Sequence, residues 1–423
     1  MKKGLSTLAL GIALAGTAAP AALAQQGDPA NQFVRNRFTA VQDRQQPEFD
    51  PEAVRMGSFI VNSSVAAVAR YNDNIFVRPN NQTGDTILEF VPQADFHSDW
   101  LVHALDFGFQ VDNRNYLDNS DEGSTDYSAY GRGRLDVTRN FALGASLNGA
   151  HNTENRYAPA SQGGGPQAEY NRVGGEVSAT YLRDRIQLEG RAGSTKDDFD
   201  NAIYNFRNST TDYFQARAAY AISPAVSAFI LGRSSDIGYE TIQPGFTSRD
   251  AKQSNVQVGV NFELDAPFRG DIAVGYLNNN NKSALRPDTK GLSVDARLMW
   301  FPTEITTVTF NANRAVYDPG LPDSSSAFYT TYGVHVDHEL RRNIVLFGGL
   351  SGGKRDYDFQ PTPPSTVAPS RTDDLFNADA GVAWKLNKHA RLEAAYSYAK
   401  QDTSGLGFGF DNNIVSIGLK LYP

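Results

Sequence analysis

Residues 291–300, GLSVDARLMW, alternate without a break. Leu292, Val294, Ala296, Leu298 and Trp300 fall on one side of an extended chain, and Ser293, Asp295 and Arg297 on the other. From Ser58 onward this period of two recurs in runs of roughly 10 to 15 residues. The connections between runs alternate in length. Short turns are expected at 98–100, Arg139-Asn140, Arg183-Asp184, Ser223-Pro224, Ala266-Pro267, Pro302-Thr303, Arg341-Arg342 and Asn387-Lys388. Long connections rich in Asp, Asn, Gly, Ser and Pro fall at about 73–85, 114–125, 152–168, 196–211, 236–250, 279–289, 317–325, 357–372 and 402–409. A soluble sandwich has no reason to sort its loops by length, whereas a membrane barrel with short periplasmic turns and long outer loops does so. The predicted fold is all-β: a transmembrane antiparallel up-and-down β-barrel of about eighteen strands, with both chain ends on the turn side.

The two stripes of each run decide which side meets lipid. Apolar stripes include His103, Leu105, Phe107, Phe109 and Val111; Val256, Val258, Val260, Phe262 and Leu264; Ile272, Val274 and Tyr276; and Val382, Trp384 and Leu386. Trp100, Trp300, Phe301 and Trp384 lie beside short turns, where an interfacial aromatic girdle is expected. The opposite stripes carry Arg132, Arg134 and Asp136; Arg217; Arg269 and Asp271; Asp295 and Arg297; Asp379; and Arg391 and Glu393. One Arg turned toward hydrocarbon at mid-membrane costs about 2–4 kcal/mol, so these residues are expected to line a wet lumen.

Residues 1–24 read as a secretory signal peptide: two lysines, an apolar run and the small-residue site Ala22-Leu23-Ala24. Residues 25–57 are polar and rich in Gln, Arg and Pro, and are expected to form an extended periplasmic lead, with folding back into the barrel open to them but not forced by composition. Residues 58–423 then form one barrel domain. Cysteine is absent, so an exported chain of this length must be held by something other than disulfides, and a closed hydrogen-bonded sheet fits. The net charge of −8 argues against a nucleic-acid partner.

A barrel of this size encloses an aqueous channel, so conduction is its default function. Basic and acidic lumen positions alternate, which predicts ion-pair ladders and weak ion selectivity. Tyr130 and Tyr213, on the polar stripes, are the candidate aromatic platforms for a sugar path, with packing against the wall as the plainer reading. The third loop carries Gly163, Gly164 and Gly165; glycine permits it to fold inward, while an ordinary outer loop is the plainer expectation. The proline-rich DFQPTPPSTVAPS (358–370) is expected to project outward as a solvated loop. No nucleophile–base pair is apparent, and the chain is expected not to be an enzyme. His335 and His338 fall on opposite faces of a strand, and neither DNSDEGSTD (118–126) nor KDDFDN (196–201) matches a calcium loop, so no metal or cofactor is expected.

The final strand, NNIVSIGLKLYP, is similar to the signal read by the outer-membrane assembly machinery, although it ends on Pro423 with Tyr422 penultimate. In order along the chain, RQQPEFDPEAVRMGSF (44–59), ARYNDNIF (69–76), RGRLDVTRN (132–140), WFPTEITTVTF (300–310) and VDHELRRNIVL (336–346) resemble the outer-membrane β-barrel porins of Gram-negative bacteria, a group often associated with exopolysaccharide systems. The resemblance implies an outer-membrane location and supplies no catalytic residue. The expected function is a porin-like channel, for solute diffusion or as the exit for exopolysaccharide. The alternative is a structural or adhesive anchor presenting binding loops. Expected partners are outer-membrane lipid and lipopolysaccharide, the assembly machinery, and polysaccharide or periplasmic export components.

Overall fold

The computed structural model describes residues 38–264, 267–361, 369–405 and 409–423. The signal peptide, most of the proline-rich eighth loop and part of the Ala266-Pro267 turn lie outside the described residues. The strands are β1 (Val54–Met56), β2 (Phe59–Asn72), β3 (Asp85–Ser98), β4 (Ala104–Tyr116), β5 (Ser124–Thr138), β6 (Phe141–Thr153), β7 (Glu169–Arg183), β8 (Ile186–Phe199), β9 (Ser209–Ser223) and β10 (Val226–Tyr239). They continue with β11 (Ala251–Glu263), β12 (Phe268–Asn281), β13 (Thr289–Thr303), β14 (Thr306–Tyr317), β15 (Ser324–Arg341), β16 (Ile344–Phe359), β17 (Arg371–Asn387), β18 (Ala390–Gly405) and β19 (Phe410–Leu421).

Each of β2 to β19 pairs antiparallel with its neighbours in sequence, and β19 closes on β2 through pairs such as Ile414↔Asn72 and Lys420↔Ala66. The result is a closed barrel of eighteen strands. Closure leaves no edge, so the backbone donors and acceptors of the wall are satisfied within the sheet, as a membrane requires. The nineteenth strand, β1, extends the seam below the short β19, pairing Val54↔Val61 and Met56↔Phe59.

Alternation sets the two faces. Leu292, Val256, Val258 and Ile272 lie outside, each 40–56% exposed, which is where a lipid-facing side chain belongs. Phe59, Trp100, Phe96 and Phe107 pack together on the exterior beside the β3–β4 turn, at the girdle.

Three details of the expected pattern change. Phe301 is buried and points inward, stacked on Phe38 at 5.3 Å, so it is not part of the girdle; one step of alternation after the outward Trp300 places it inside. The β13–β14 turn is Glu304-Ile305 instead of Pro302-Thr303. The strand accommodates Pro302 at a register shift between Trp300 and Thr303, where a missing N–H breaks no ladder bond. His103 leaves the lipid stripe: it sits at φ +68° in the β3–β4 connection, its N–H donating to Asp136 Oδ2 (3.0 Å) and its Nδ1 accepting the Asp136 N–H (3.1 Å).

The hydrophobic clusters of the described residues gather at the outer end. They are Val77, Tyr157, Ala399 and Phe410; Ala168, Tyr170, Phe199 and Tyr204; and Ala327, Tyr357 and Phe359. A lipid-facing barrel needs no oily centre, so its packed cores sit where loops meet over the opening.

Candidate functional site: the lumen and its two mouths

Paired residues of an antiparallel ladder share a face. Stepping round the wall through Gly108↔Tyr130, Asp106↔Arg132, Ala104↔Arg134 and Asp136↔Ala142, then Gly193↔Tyr213 and Glu189↔Arg217, stays on one face. The same face carries Glu263↔Arg269, Asp271↔Arg297, Ala273↔Asp295, Gly349↔Asp379, Lys385↔Arg391 and Ala383↔Glu393. It is the interior face, because the chain segment 38–50 lies against it. The structure does not gather these side chains into one cluster; they are spread round the wall. Asp295, Arg297 and Arg134 are exposed although they point inward, so at their height the interior is open to water.

Most interior charges are matched across one rung or along one strand. Arg70 meets Glu89 at 3.0 Å, Arg172 meets Asp197 at 2.6 Å, Arg134 meets Asp136 at 3.1 Å, and Arg391 meets Glu393 at 3.0 Å. Arg191 bridges Glu176 and Glu189. The two tyrosines are built into this lattice. The Tyr130 hydroxyl donates to Asp95 (2.7 Å) under the Arg132 guanidinium, 4.7 Å from the ring centre. The Tyr213 hydroxyl donates to Glu176 beneath Arg233, 4.2 Å away. Each ring therefore packs with wall neighbours.

At the periplasmic mouth, residues 38–50 fold back as a strap across the β12–β17 side. Arg269 donates to the Phe38 carbonyl (3.2 Å), the Val41 N–H donates to Thr307 Oγ1 (2.9 Å), and Gln42 donates to Asp337 (2.8 Å). Arg44 donates to the Glu304 carbonyl (2.6 Å) and pairs with Glu339, and Lys385 pairs with Asp50 at 2.6 Å. Ala40 and Val41 are buried. The extended lead expected for this region is thus an interior strap over its described part. Its anchors lie 231 to 335 residues away in sequence, beyond the reach of any local pattern.

At the outer mouth, the third loop (154–168) turns inward and reaches the far wall, in place of an ordinary outer loop. Arg371 of β17 donates to Gln162 (3.3 Å), Tyr157 packs on Phe410 of β19 (5.4 Å), and Arg78 donates to the Gly163 carbonyl (3.0 Å). Gly163 and Gly164 take φ of +84° and +83°, and a Cβ on Gly164 would come within 2.8 Å of Arg78 and 3.1 Å of Phe76. Both positions thus favour glycine for backbone conformation, and Gly164 also for close approach.

Arg156 pairs with Glu122 (2.6 Å) and Arg207 with Glu154 (2.5 Å), pinning the third loop, while Arg249 pairs with Asp318 between neighbouring loops and Arg371 with Asp373 (2.9 Å) at the end of β17. Arg286, 3% exposed, differs from them. Its Nη2 donates to the carbonyls of Thr247 (3.0 Å) and Pro322 (2.8 Å), and among the described residues no carboxylate forms an ion pair with it. Burial, then the neighbouring Arg249 charge, pushes its pKa down to about 10. Burial likewise pushes the nearby Asp323 carboxyl up. Sequence reading missed these loop arginines because nothing local distinguishes an arginine that reaches across a mouth from a solvated one.

Solved structures of similar fold include outer-membrane proteins. Pseudomonas aeruginosa OccK2 (OpdF), solved in complex with glucuronate, aligns over 86% of this chain and 98% of its own at 11% identity and a TM-score of 0.50. OpdK of the same organism aligns over 86% and 99% at 10% identity and 0.50. The FrpB iron transporter of Neisseria meningitidis (F5-1 variant, apoprotein) aligns over 83% of this chain and 62% of its own at 10% identity and 0.51. At such identities the likeness is one of fold. No curated protein sequence matches. The model of the family described as "Putative beta-barrel porin 2" matches residues 46–422, and this chain, an outer-membrane β-barrel porin, belongs to that family.

Proposed function

We propose that the chain is a narrow, weakly selective channel for small hydrophilic solutes. The observation that carries this reading is the third loop, which spans the outer mouth from β6 and β7 to Arg371 on β17. With the strap at the other end, it leaves a solute two constrictions in series around a water-accessible middle. Interior charges largely paired within the wall support weak discrimination by sign, since screened pairs project little field. The same two constrictions weigh against exit of a polysaccharide, which would have to displace both sets of contacts. The wall tyrosines, tied to carboxylates, add little to that second reading.

Planar-bilayer recording with the purified barrel tests the proposal. Stable open steps of small conductance are expected, together with liposome permeability to monosaccharides that falls steeply for oligosaccharides. A silent barrel would favour the structural or adhesive anchor. Passage of long oligosaccharides, with loss of secreted polysaccharide on gene deletion, would favour the export route.

A further inference from the structure

We propose that the outer rim carries a divalent-metal site on the exterior face, formed by His151 of β6, Glu169 of β7 and Asp200 just beyond β8. One ligand atom from each lies within 4.8 Å of the others. The three are distant in sequence and are brought together by register: His151 pairs with Asn171, which pairs with Asp198, and the Asp200 N–H donates to the Glu169 carbonyl (3.0 Å). A rim built on three hydrogen-bonded strands holds ligands with little entropy left to lose.

Two further features mark the cluster out. The first is charge. Elsewhere on this rim, exterior carboxylates are matched by lysines: Glu240 by Lys196 (2.8 Å), Asp236 by Lys282 (2.9 Å), Asp356 by Lys354 (3.3 Å) and Asp402 by Lys400 (2.7 Å). Glu169 and Asp200 have no Lys or Arg partner among the described residues, and the basic group facing Asp200 is the imidazole of His151. The second is orientation. Tyr127 stacks on the His151 imidazole at 5.2 Å and 16°, which fixes the ring plane. The Asn171 amide lies between the ligands, its Oδ1 3.1 Å from His151 Nδ1 and its Nδ2 donating to Asp200 Oδ1 (2.8 Å). His151 Nδ1 lies 3.8 Å from Asp200 Oδ2, so modest side-chain rotation brings both onto one ion. The Asn171 amide that positions the Asp200 carboxylate is the kind of outer-shell support metal-ligating carboxylates have, and an ion bound at His151 Nδ1 would take the place of the Nδ1–Asn171 contact.

One imidazole and two carboxylates suit a borderline divalent ion such as Zn²⁺, and three protein ligands leave a fourth position open. The acid run 196–201 does not betray this site, because only Asp200 of that run takes part and its partners come from two other strands.

Calorimetric titration of the untagged, EDTA-treated barrel in detergent with Zn²⁺, and visible absorption on titration with Co²⁺, test the site. One saturable ion per barrel is expected. His151→Ala and Asp200→Asn should each weaken binding by more than about tenfold and abolish the Co²⁺ band. Asp198→Asn, which alters a neighbouring carboxylate outside the trio, should bind as the native protein does. Heat-modifiable gel migration confirms that each variant still forms a barrel. Absence of saturable binding at millimolar ion overturns the proposal. So does binding unchanged in His151→Ala, which would point to the interior His97–Asp106 or His335–Asp337 pairs.

Discussion

At the periplasmic mouth one strand of backbone, residues 38–50, is tied to the wall by single hydrogen bonds, one stacked ring pair and two ion pairs. At the outer mouth, loops from all round the rim pack three aromatic clusters and a set of buried arginines. The difference is one of chemistry as well as amount. Beyond the Phe38–Phe301 stack and the buried Ala40 and Val41, the strap is single-layered and its contacts to the wall are polar, each net hydrogen bond worth about 0.5–1.5 kcal/mol. The lid buries side chains such as Val77, Tyr157 and Phe410 out of water, each worth about 1.5–3 kcal/mol. The outer constriction should therefore be the stiffer of the two and should set the size limit, with the strap as a softer filter behind it.

The largest effect should come from removing the lid. Replacing residues 156–166 by a short turn takes away Tyr157, the contact to Arg371 and the anchor of Arg78 together. Single-channel conductance should rise several-fold, and the sugar size limit in liposomes should move up. Deleting 38–50 should raise conductance less and leave the size limit near its native value. If strap deletion proves the larger of the two, the ranking of the mouths is reversed.

Next comes Gly164→Ala. At φ +83° an L side chain costs about 1–3 kcal/mol of local strain, and the new methyl would press on Arg78 and Phe76. The barrel should fold as before, while the third loop loosens. Chymotryptic cleavage after Tyr157 should accelerate and open-channel noise should increase. An unchanged cleavage rate would mean that the loop is not held by this approach.

The wall was legible in the sequence because each of its signals is local. Alternation fixes which side chain of a strand points outward, and loop length fixes which end is which, so GLSVDARLMW already contains the placement of Asp295 and Arg297. Phe301 could have been placed inside by the same parity; proximity to a turn and to Trp300 was the misleading cue. Pro302 drew the turn two residues early because proline is read as a turn former before it is read as a bulge. What fills the barrel was not legible. Val41 meets Thr307, and Gln162 meets Arg371, only after eighteen strands have closed, and no composition within 38–50 or 154–168 encodes a partner more than 200 residues away.

A smaller effect is expected at Arg286, which sits among the outer loops with no ion pair to a carboxylate among the described residues. Arg286→Met removes a buried charge that makes no direct ion pair among the described residues, although Asp318 and Asp323 lie near enough to act on it. Replacing such a group by an apolar side chain of similar length is often neutral or stabilising, so thermal stability should hold or rise slightly. Its positive potential at the outer mouth disappears, and the reversal potential in a salt gradient should shift toward cations. An unchanged reversal potential would place this charge outside the conducting path.

The smallest effect separates the mouths from the wall between them. Asp271, Arg297 and Asp295 neighbour one another on β12 and β13, and Asp295 also accepts from Asn313 (3.2 Å). Asp295 and Arg297 are exposed and opposite in sign on one face, with Asp271 half-buried opposite Arg297, in contrast to the buried Arg286. Neutralising one member by Arg297→Gln removes a screened interaction worth about 0–1 kcal/mol and leaves its partners free to re-pair. The permeability ratio should change by less than about twofold, and less at high salt than at low salt, because a surface-like pair is screened within about 10 Å at 0.1 M. A larger change from Arg297→Gln than from Arg286→Met would move the selective point from the outer mouth to the middle of the lumen.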